Sequence, residues 1–184
     1  MGSDVQRVSV EVDISSGLPG WQFVGLPETA VKESKERVVA AIRNSGIQIL
    51  ARKITVNLSP AQWKKSGPFF DLPIALGVLV ASEILAPQYV EGVLCVGELT
   101  LKGEVIPVPG VLPMLMALRR SVRAGRVRSI IVPAGNLGEA SLVKEMPLVG
   151  ARTLQDVVRY LETREKPVIE VVTEKPAAPA ARPD

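Results

Sequence analysis

The sequence of 184 residues contains no histidine, a single cysteine and few aromatic residues. The absence of histidine excludes His-ligated metal sites, Ser-His or Cys-His catalysis, and histidine as a general acid or base. With Cys95 alone, the chain forms no internal disulfide and no Cys-x-x-Cys site. Aromatic residues make up 4% of the chain, too few for a platform that stacks several bases. These absences leave few kinds of catalytic centre.

The chain also lacks the glycine-rich loops that hold nucleotide phosphates. The dipeptide Gly-Lys never occurs, so no Walker A motif is present, and no G-x-G-x-x-G string opens a helix after a strand. The sequence therefore predicts no nucleotide site and no cofactor within this chain, and it offers no metal-ligating cluster.

Long apolar runs are missing as well. The longest, residues 72–81, is too short to cross a bilayer, and no apolar signal segment follows the start. The net charge of +3 is mildly basic. We expect a cytoplasmic protein without membrane contact, in which residues 1–7 hold an artificial leader and the start of the first strand.

Residues 8–162 alternate strand-like and helix-like segments, which predicts an α/β fold, with two layers favoured over a doubly wound sheet. Residues 163–184 are rich in proline and alanine and are typical of a linker. Because a linker joins two bodies, we expect a further domain beyond it.

Several local signals predict individual elements. Alternating apolar residues predict a strand over 8–14, and the turn at Gly17–Gly20 predicts that 21–26 returns beside it as a hairpin. A buried strand is predicted over 93–99. Asp71 is placed to cap the apolar helix that follows it, and Thr153 with Asp156 forms a capping-box pattern.

Two blocks of the sequence resemble the proteolytic domain of Lon proteases. They are Lys65–Asp71 and the hairpin Gly97–Gly110, whose similarity continues to Pro133. The resemblance implies a Lon-like fold of the ribosomal-protein domain-two-like superfold. It places Phe69 at the nucleophilic serine and Met114 at the activating lysine. Since a Ser–Lys dyad needs a hydroxyl and an amine, we expect no catalysis from these positions. Ser66 beside two lysines is a weaker substitute nucleophile.

Longer strings resemble the magnesium-chelatase-like AAA+ ATPases of the YifB/ComM type, whose first domain is Lon-like and ChlI-subunit-like. The similarity extends over residues 8–162 and is carried by Ser15–Ser34, Val38–Gly46, Ile54–Pro60 and Gly67–Ala75. This family shares the Phe-Asp pair, so the missing serine is expected of it.

The same resemblance implies the surroundings of the domain. The linker would lead to the protein's own AAA+ motor, which uses ATP and Mg²⁺, and self-association would form a ring, a hexamer in the family. ComM-type members are associated with DNA branch migration in natural transformation, which makes DNA a candidate partner.

Basic residues supply the candidate contacts to a phosphate backbone. Five arginines lie within ten residues without an acidic neighbour, and Lys64 with Lys65 forms a smaller group. Arginine grips phosphate by bidentate hydrogen bonds. The alternative is that these side chains are only solvated and cover apolar surface with their stems. The arginines are Arg119, Arg120, Arg123, Arg126 and Arg128.

Three hypotheses from different classes follow. The first is a non-catalytic assembly and DNA-handling domain of an ATPase. The second is a residual serine hydrolase acting through Ser66. The third is an oligomerisation or partner-docking domain without nucleic-acid contact, which would self-associate but show no affinity for DNA.

Overall fold

In the computed structural model, residues 5–169 are described. Eight strands are β1 Ser9–Ser15, β2 Gly20–Val24, β3 Lys53–Ser59, β4 Val93–Cys95, β5 Glu98–Leu99, β6 Val105–Ile106, β7 Ser129–Pro133 and β8 Leu148–Ala151. Six helices are α1 Thr29–Lys32, α2 Ser34–Asn44, α3 Asp71–Ala81, α4 Val111–Arg123, α5 Leu137–Ala140 and α6 Leu154–Thr163. The predicted mixed α/β class is confirmed, and the linker, apart from its first residues, lies outside the described part.

The first sheet has the strand order β1-β3-β2, so β1 and β2 do not form the predicted hairpin. β3 lies between them, antiparallel to β1 and parallel to β2. Val56 of β3 stands opposite both Val12 and Phe23, and its side chain is fully buried. The hairpin prediction was wrong because β3 offers the apolar faces of both strands a buried partner, which the turn alone could not reveal.

Helices α2 and α3 cover one face of this sheet and bury most of the larger of two apolar clusters. Gly77 allows α3 to approach β1 closely, because a Cβ atom there would lie 2.6 Å from a methyl carbon of Val12. Trp21 and Phe23 are partly buried and pack against the same cluster, with ring centroids 6.0 Å apart.

The second sheet is parallel, with the order β4-β7-β8. Every residue of its central strand β7 is buried. Ile131 joins the larger cluster on one face, while Ile130 and Val132 join a second cluster with α4 on the other. The first sheet therefore has the expected two-layer packing, with helices on one face. The second sheet is covered on both faces, as parallel sheets usually are.

Two other expectations needed correction. The strand predicted over 93–99 is two strands in different sheets, because the chain turns away at Gly97, whose amide and carbonyl bond Phe69 and Leu72. Strand β8 was not predicted, since its apolar run shows no alternation. By contrast, the Thr153–Asp156 capping box is confirmed at the start of α6.

Candidate functional site

The loop that carries Phe69 is held in place by Asp71, the first residue of α3. The sequence suggested that Asp71 caps this helix, but its side chain forms no cap bond. Its fully buried carboxylate instead accepts hydrogen bonds from the Ser34 hydroxyl at 2.5 Å and from the Leu99 amide at 3.0 Å. It therefore joins α3 to both α2 and β5.

Arg37 completes this network by binding the same carboxylate with two nitrogens. Its Nε lies 2.6 Å from Oδ2 of Asp71, and Nη2 lies 3.1 Å from Oδ1. The hydrogen bond to Asp71 raises the pKa of Arg37. Sequence reasoning missed Ser34 and Arg37, because the three partners are far apart along the chain. The arrangement fixes the end of the loop and brings no reactive group to it.

Phe69 and Met114 line the same cleft, which has a volume of about 760 Å³. The cleft runs between β1, β4, α3 and α4, and most of its wall is apolar. Phe69 packs against the second apolar cluster and Phe70 against the larger one, with ring centroids 5.1 Å apart. The structure thus brings together the two positions that the Lon resemblance assigned to a catalytic pair, and an aromatic ring and a thioether stand there.

Two other candidate nucleophiles near the cleft, Cys95 and Ser66, are not activated. Cys95 lines it, and burial raises the pKa of its thiol to about 12, so very little thiolate is present at neutral pH. Ser66 is exposed, and within residues 5–169 its hydroxyl has no hydrogen-bond partner that could act as a base. This geometry gives the hydrolase hypothesis no activated nucleophile.

Lys65 was considered as a phosphate contact, and the structure corrects this. It is only 2% exposed, and its ammonium group donates to the carbonyl oxygens of Gly25 and Pro60. Its burial lowers the pKa of Lys65. Lys64 is exposed and lies 3.0 Å from a carboxylate oxygen of Glu28. Lys65 therefore stabilises the contact between its own loop and residues Gly25 and Pro60, and its ammonium group cannot reach a ligand on the surface.

The five candidate arginines are all exposed. Three project from the last two turns of α4, in which Val111 and Leu115 are buried, and two follow between α4 and β7. Among the ion pairs of residues 5–169, none involves these five guanidinium groups. We call this set the arginine surface: Arg119, Arg120, Arg123, Arg126 and Arg128.

One further basic side chain lies beside the arginine surface and was not predicted. Lys144 lines a shallow depression together with Arg119 and Arg123, and Glu145 lines it too. A partner at this surface would therefore meet a basic area with one acidic residue at its border.

The part of the chain that the structure describes holds no group of three or more acidic, cysteine or histidine side chains close enough to bind a metal ion. None of the helices in residues 5–169 is long and apolar enough to cross a membrane.

Comparison with known proteins agrees with this architecture. The chain is 24% identical to the Lon protease of Geobacter metallireducens over 95% of its own length and 22% of that enzyme. This similarity places it among α/β domains related to the Lon proteolytic domain.

More specifically, residues 10–136 match the family model for subunit ChlI of Mg-chelatase, and the chain belongs to this family. It is 42% identical to the competence protein ComM of Haemophilus influenzae, with 90% of this chain and 32% of the relative aligned. It is 41% identical to the uncharacterized protein YifB of Salmonella typhimurium, with 100% of this chain and 35% of YifB aligned. The chain spans about a third of the length of these relatives. The resemblance to magnesium-chelatase-like proteins of the YifB/ComM type is thereby confirmed.

Proposed function

We propose that this chain is the non-catalytic N-terminal assembly and regulatory domain of a magnesium-chelatase-like AAA+ ATPase that acts on DNA. The arginine surface is the observation that carries the DNA part of this proposal. In the proposed whole protein, residues 163–184 lead to a motor domain that binds ATP and Mg²⁺, and the subunits form a hexameric ring. One relative bears the name competence protein, which supports placing this action in natural transformation, and DNA branch migration is the role that the family resemblance implies.

The non-catalytic part of the proposal is supported by the cleft. A Ser–Lys dyad depends on a hydroxyl that loses its proton to a nearby desolvated amine. Phe69 and Met114 supply neither group, and the buried amine of Lys65 is occupied by two carbonyl oxygens. We infer that the cleft does not hydrolyse peptides.

The DNA part is supported by the charge and exposure of the arginine surface. Guanidinium groups that form no ion pair within residues 5–169 remain available for bidentate bonds to phosphate oxygens. Each phosphate that is neutralised releases counterions, so the affinity for single strands falls with salt at a slope of about −0.7 per contact. If all five arginines bind phosphates, raising salt fourfold lowers the affinity by about 100-fold.

The test is fluorescence anisotropy with labelled single-stranded and forked DNA at about 50 and 200 mM salt. We expect salt-sensitive binding by the wild-type chain. The triple variant R119E/R120E/R123E should bind weakly, and its residual binding should depend much less on salt.

A second triple variant, K32E/R43E/K102E, is the matched control. These three residues are exposed on other elements, and their replacement changes the net charge by the same amount. An equal loss of DNA affinity in both triple variants would mean that binding depends only on the net charge of the chain. Wild-type binding by R119E/R120E/R123E would refute the assignment of DNA contact to the arginine surface. Absence of binding together with self-association in sedimentation would favour the assembly role without DNA.

A further inference from the structure

The two flanks of α4 carry different side chains. Met114 and Ala117 line the cleft on one flank. Because residues advance by about 100° around a helix, positions 116, 119 and 123 share the opposite flank. Those positions hold Met116, Arg119 and Arg123, and all three side chains are exposed. This flank therefore combines an apolar residue with two cations, away from the cleft.

The connection between α5 and β8 lies beside this flank. Its Lys144 borders a shallow depression together with Arg119 and Arg123 of α4. Val122 and Met146 also line the depression, and both pack against the second apolar cluster. We call this space the basic depression. It joins two elements and combines apolar lining residues with three cationic side chains.

The charges of the basic depression are unbalanced. Glu145 lines it as well, which leaves three cations against one carboxylate. Within residues 5–169, none of these four side chains forms an ion pair. Exposed cations attract carboxylates, and a guanidinium group matches a carboxylate with two parallel hydrogen bonds. The basic depression therefore favours an acidic ligand.

Two exposed apolar side chains on the same two elements restrict this ligand further. Met116 is 59% exposed on α4, and Leu142 is 69% exposed in the connection to β8. Their neighbours in the chain, Leu115 and Val143, are buried in the same apolar cluster, which packs the two elements together. A backbone of phosphates offers exposed apolar side chains no apolar partner, whereas a peptide can carry leucine among its acidic residues. These two residues favour an acidic segment of a protein.

We propose that the basic depression, with Met116 and Leu142, binds an acidic segment of another protein. The acidic side chains of that segment pair with Arg119, Arg123 and Lys144, and its apolar side chains cover the two exposed apolar residues. Because exposed ion pairs alone contribute little, the apolar contacts supply much of the affinity. This inference does not depend on the DNA proposal, although DNA and the segment would compete for the two arginines.

The probe is a fluorescein-labelled octapeptide, Ser-Asp-Leu-Asp-Asp-Leu-Asp-Ser, whose binding is measured by anisotropy. One control peptide carries serine in place of both leucines, and a second carries asparagine in place of the four aspartates. We expect the probe to bind about tenfold more tightly than the serine control, because that control loses its apolar contacts. The asparagine control should lose about as much affinity, since neutral amides do not pair with the cations.

A double variant of the chain tests the place of binding. M116S/L142S should weaken binding of the probe about tenfold and leave binding of single-stranded DNA unchanged. L18S/L50S is the matched control, because these leucines are 89% and 70% exposed in other parts of the chain. This control should bind the probe as tightly as the wild type.

Glu145 allows a test in the opposite direction. E145Q removes the carboxylate that repels an acidic segment, so the affinity for the probe should rise about threefold. E83Q is the matched control, because Glu83 is also exposed and its φ of +61° is close to the +62° of Glu145. It should leave the affinity for the probe unchanged.

Each contrary result overturns the proposal. Equal binding of the probe and its serine control would show attraction by charge alone. Unchanged affinity for the probe in M116S/L142S or in E145Q would place the segment elsewhere. Equal losses of peptide and DNA binding in M116S/L142S would show that the apolar residues belong to a nucleic-acid site. No binding of the probe would mean that the basic depression takes no acidic segment.

Discussion

At the scale of single residues, two buried polar side chains explain how the loop beside the cleft keeps its shape. Asp71 and Lys65 are both almost inaccessible to water. A buried charge is tolerated only when hydrogen bonds replace its hydration, and both residues have such partners. If one partner of such a pair is removed, the other partner stays buried without the hydrogen bonds that replaced its hydration, and the fold loses stability.

Asp71→Asn should lower the free energy of unfolding by about 3 kcal/mol, because it breaks a bidentate pair and leaves Arg37 without its carboxylate. Urea denaturation measures this loss. Glu33→Gln is the matched control, since Glu33 contacts the same Arg37 at 4.0 Å on the surface. It should change stability by less than about 0.5 kcal/mol. A similar effect of both substitutions would contradict the central role of Asp71.

Lys65→Met should also destabilise the fold, by about 1–3 kcal/mol, because the carbonyl oxygens of Gly25 and Pro60 would lose their donor. The wild-type chain should in addition gain stability as pH rises toward 10.5. Burial lowers the pKa of Lys65 in the folded state, so between that pKa and the ordinary value the unfolded chain binds more protons.

Urea denaturation of both proteins between pH 7 and about 10.5 tests this pH dependence. The difference in unfolding free energy between wild type and K65M should increase with pH. A difference that stays constant over this range would show that the lysine is not perturbed by folding.

At the scale of elements, the order of the first sheet depends on close contact between β2 and β3. Gly25 follows β2 with φ of +98°, and a Cβ atom there would lie 2.0 Å from the carbonyl oxygen of Leu58. No side chain other than hydrogen fits between the two strands at this point. The glycine is therefore required by strand packing as well as by backbone conformation.

Gly25→Ala should destabilise the chain by about 3 kcal/mol or more, since both the left-handed conformation and the clash oppose a methyl group. Gly20→Ala provides the comparison, because no heavy atom lies within 4 Å of its Cβ position. It should be neutral or slightly stabilising. Thermal unfolding of the two variants distinguishes these outcomes, and equal melting temperatures would contradict the packing argument.

Some elements could be predicted because their signals are local. The alternation in β1 and β3, the amphipathic run of α4 and the capping box of α6 each depend on residues within one turn or one strand. Helix α1 and strand β8 could not be predicted as separate elements, because four residues are too few for a period to show.

At the scale of the whole molecule, the two apolar clusters leave the cleft open between them, while the arginine surface lies on the solvent side of α4. The helix thus contributes Met114 to the cleft and its guanidinium groups to another face. The DNA prediction belongs to this scale, because it concerns the arginine surface and leaves the cleft unchanged.

The sequence by itself determined the mixed α/β class, the family resemblance, and the lack of a Ser–Lys pair at Phe69 and Met114, because these depend on residue identity and short-range pattern. Only the tertiary structure decided the strand order β1-β3-β2, the burial of Lys65 and the network around Asp71. These features join residues distant in the chain, such as Lys65 with Gly25, 40 positions apart, and Arg37 with Asp71, 34 apart. Their pairing follows from how the apolar faces pack together, which no local pattern encodes.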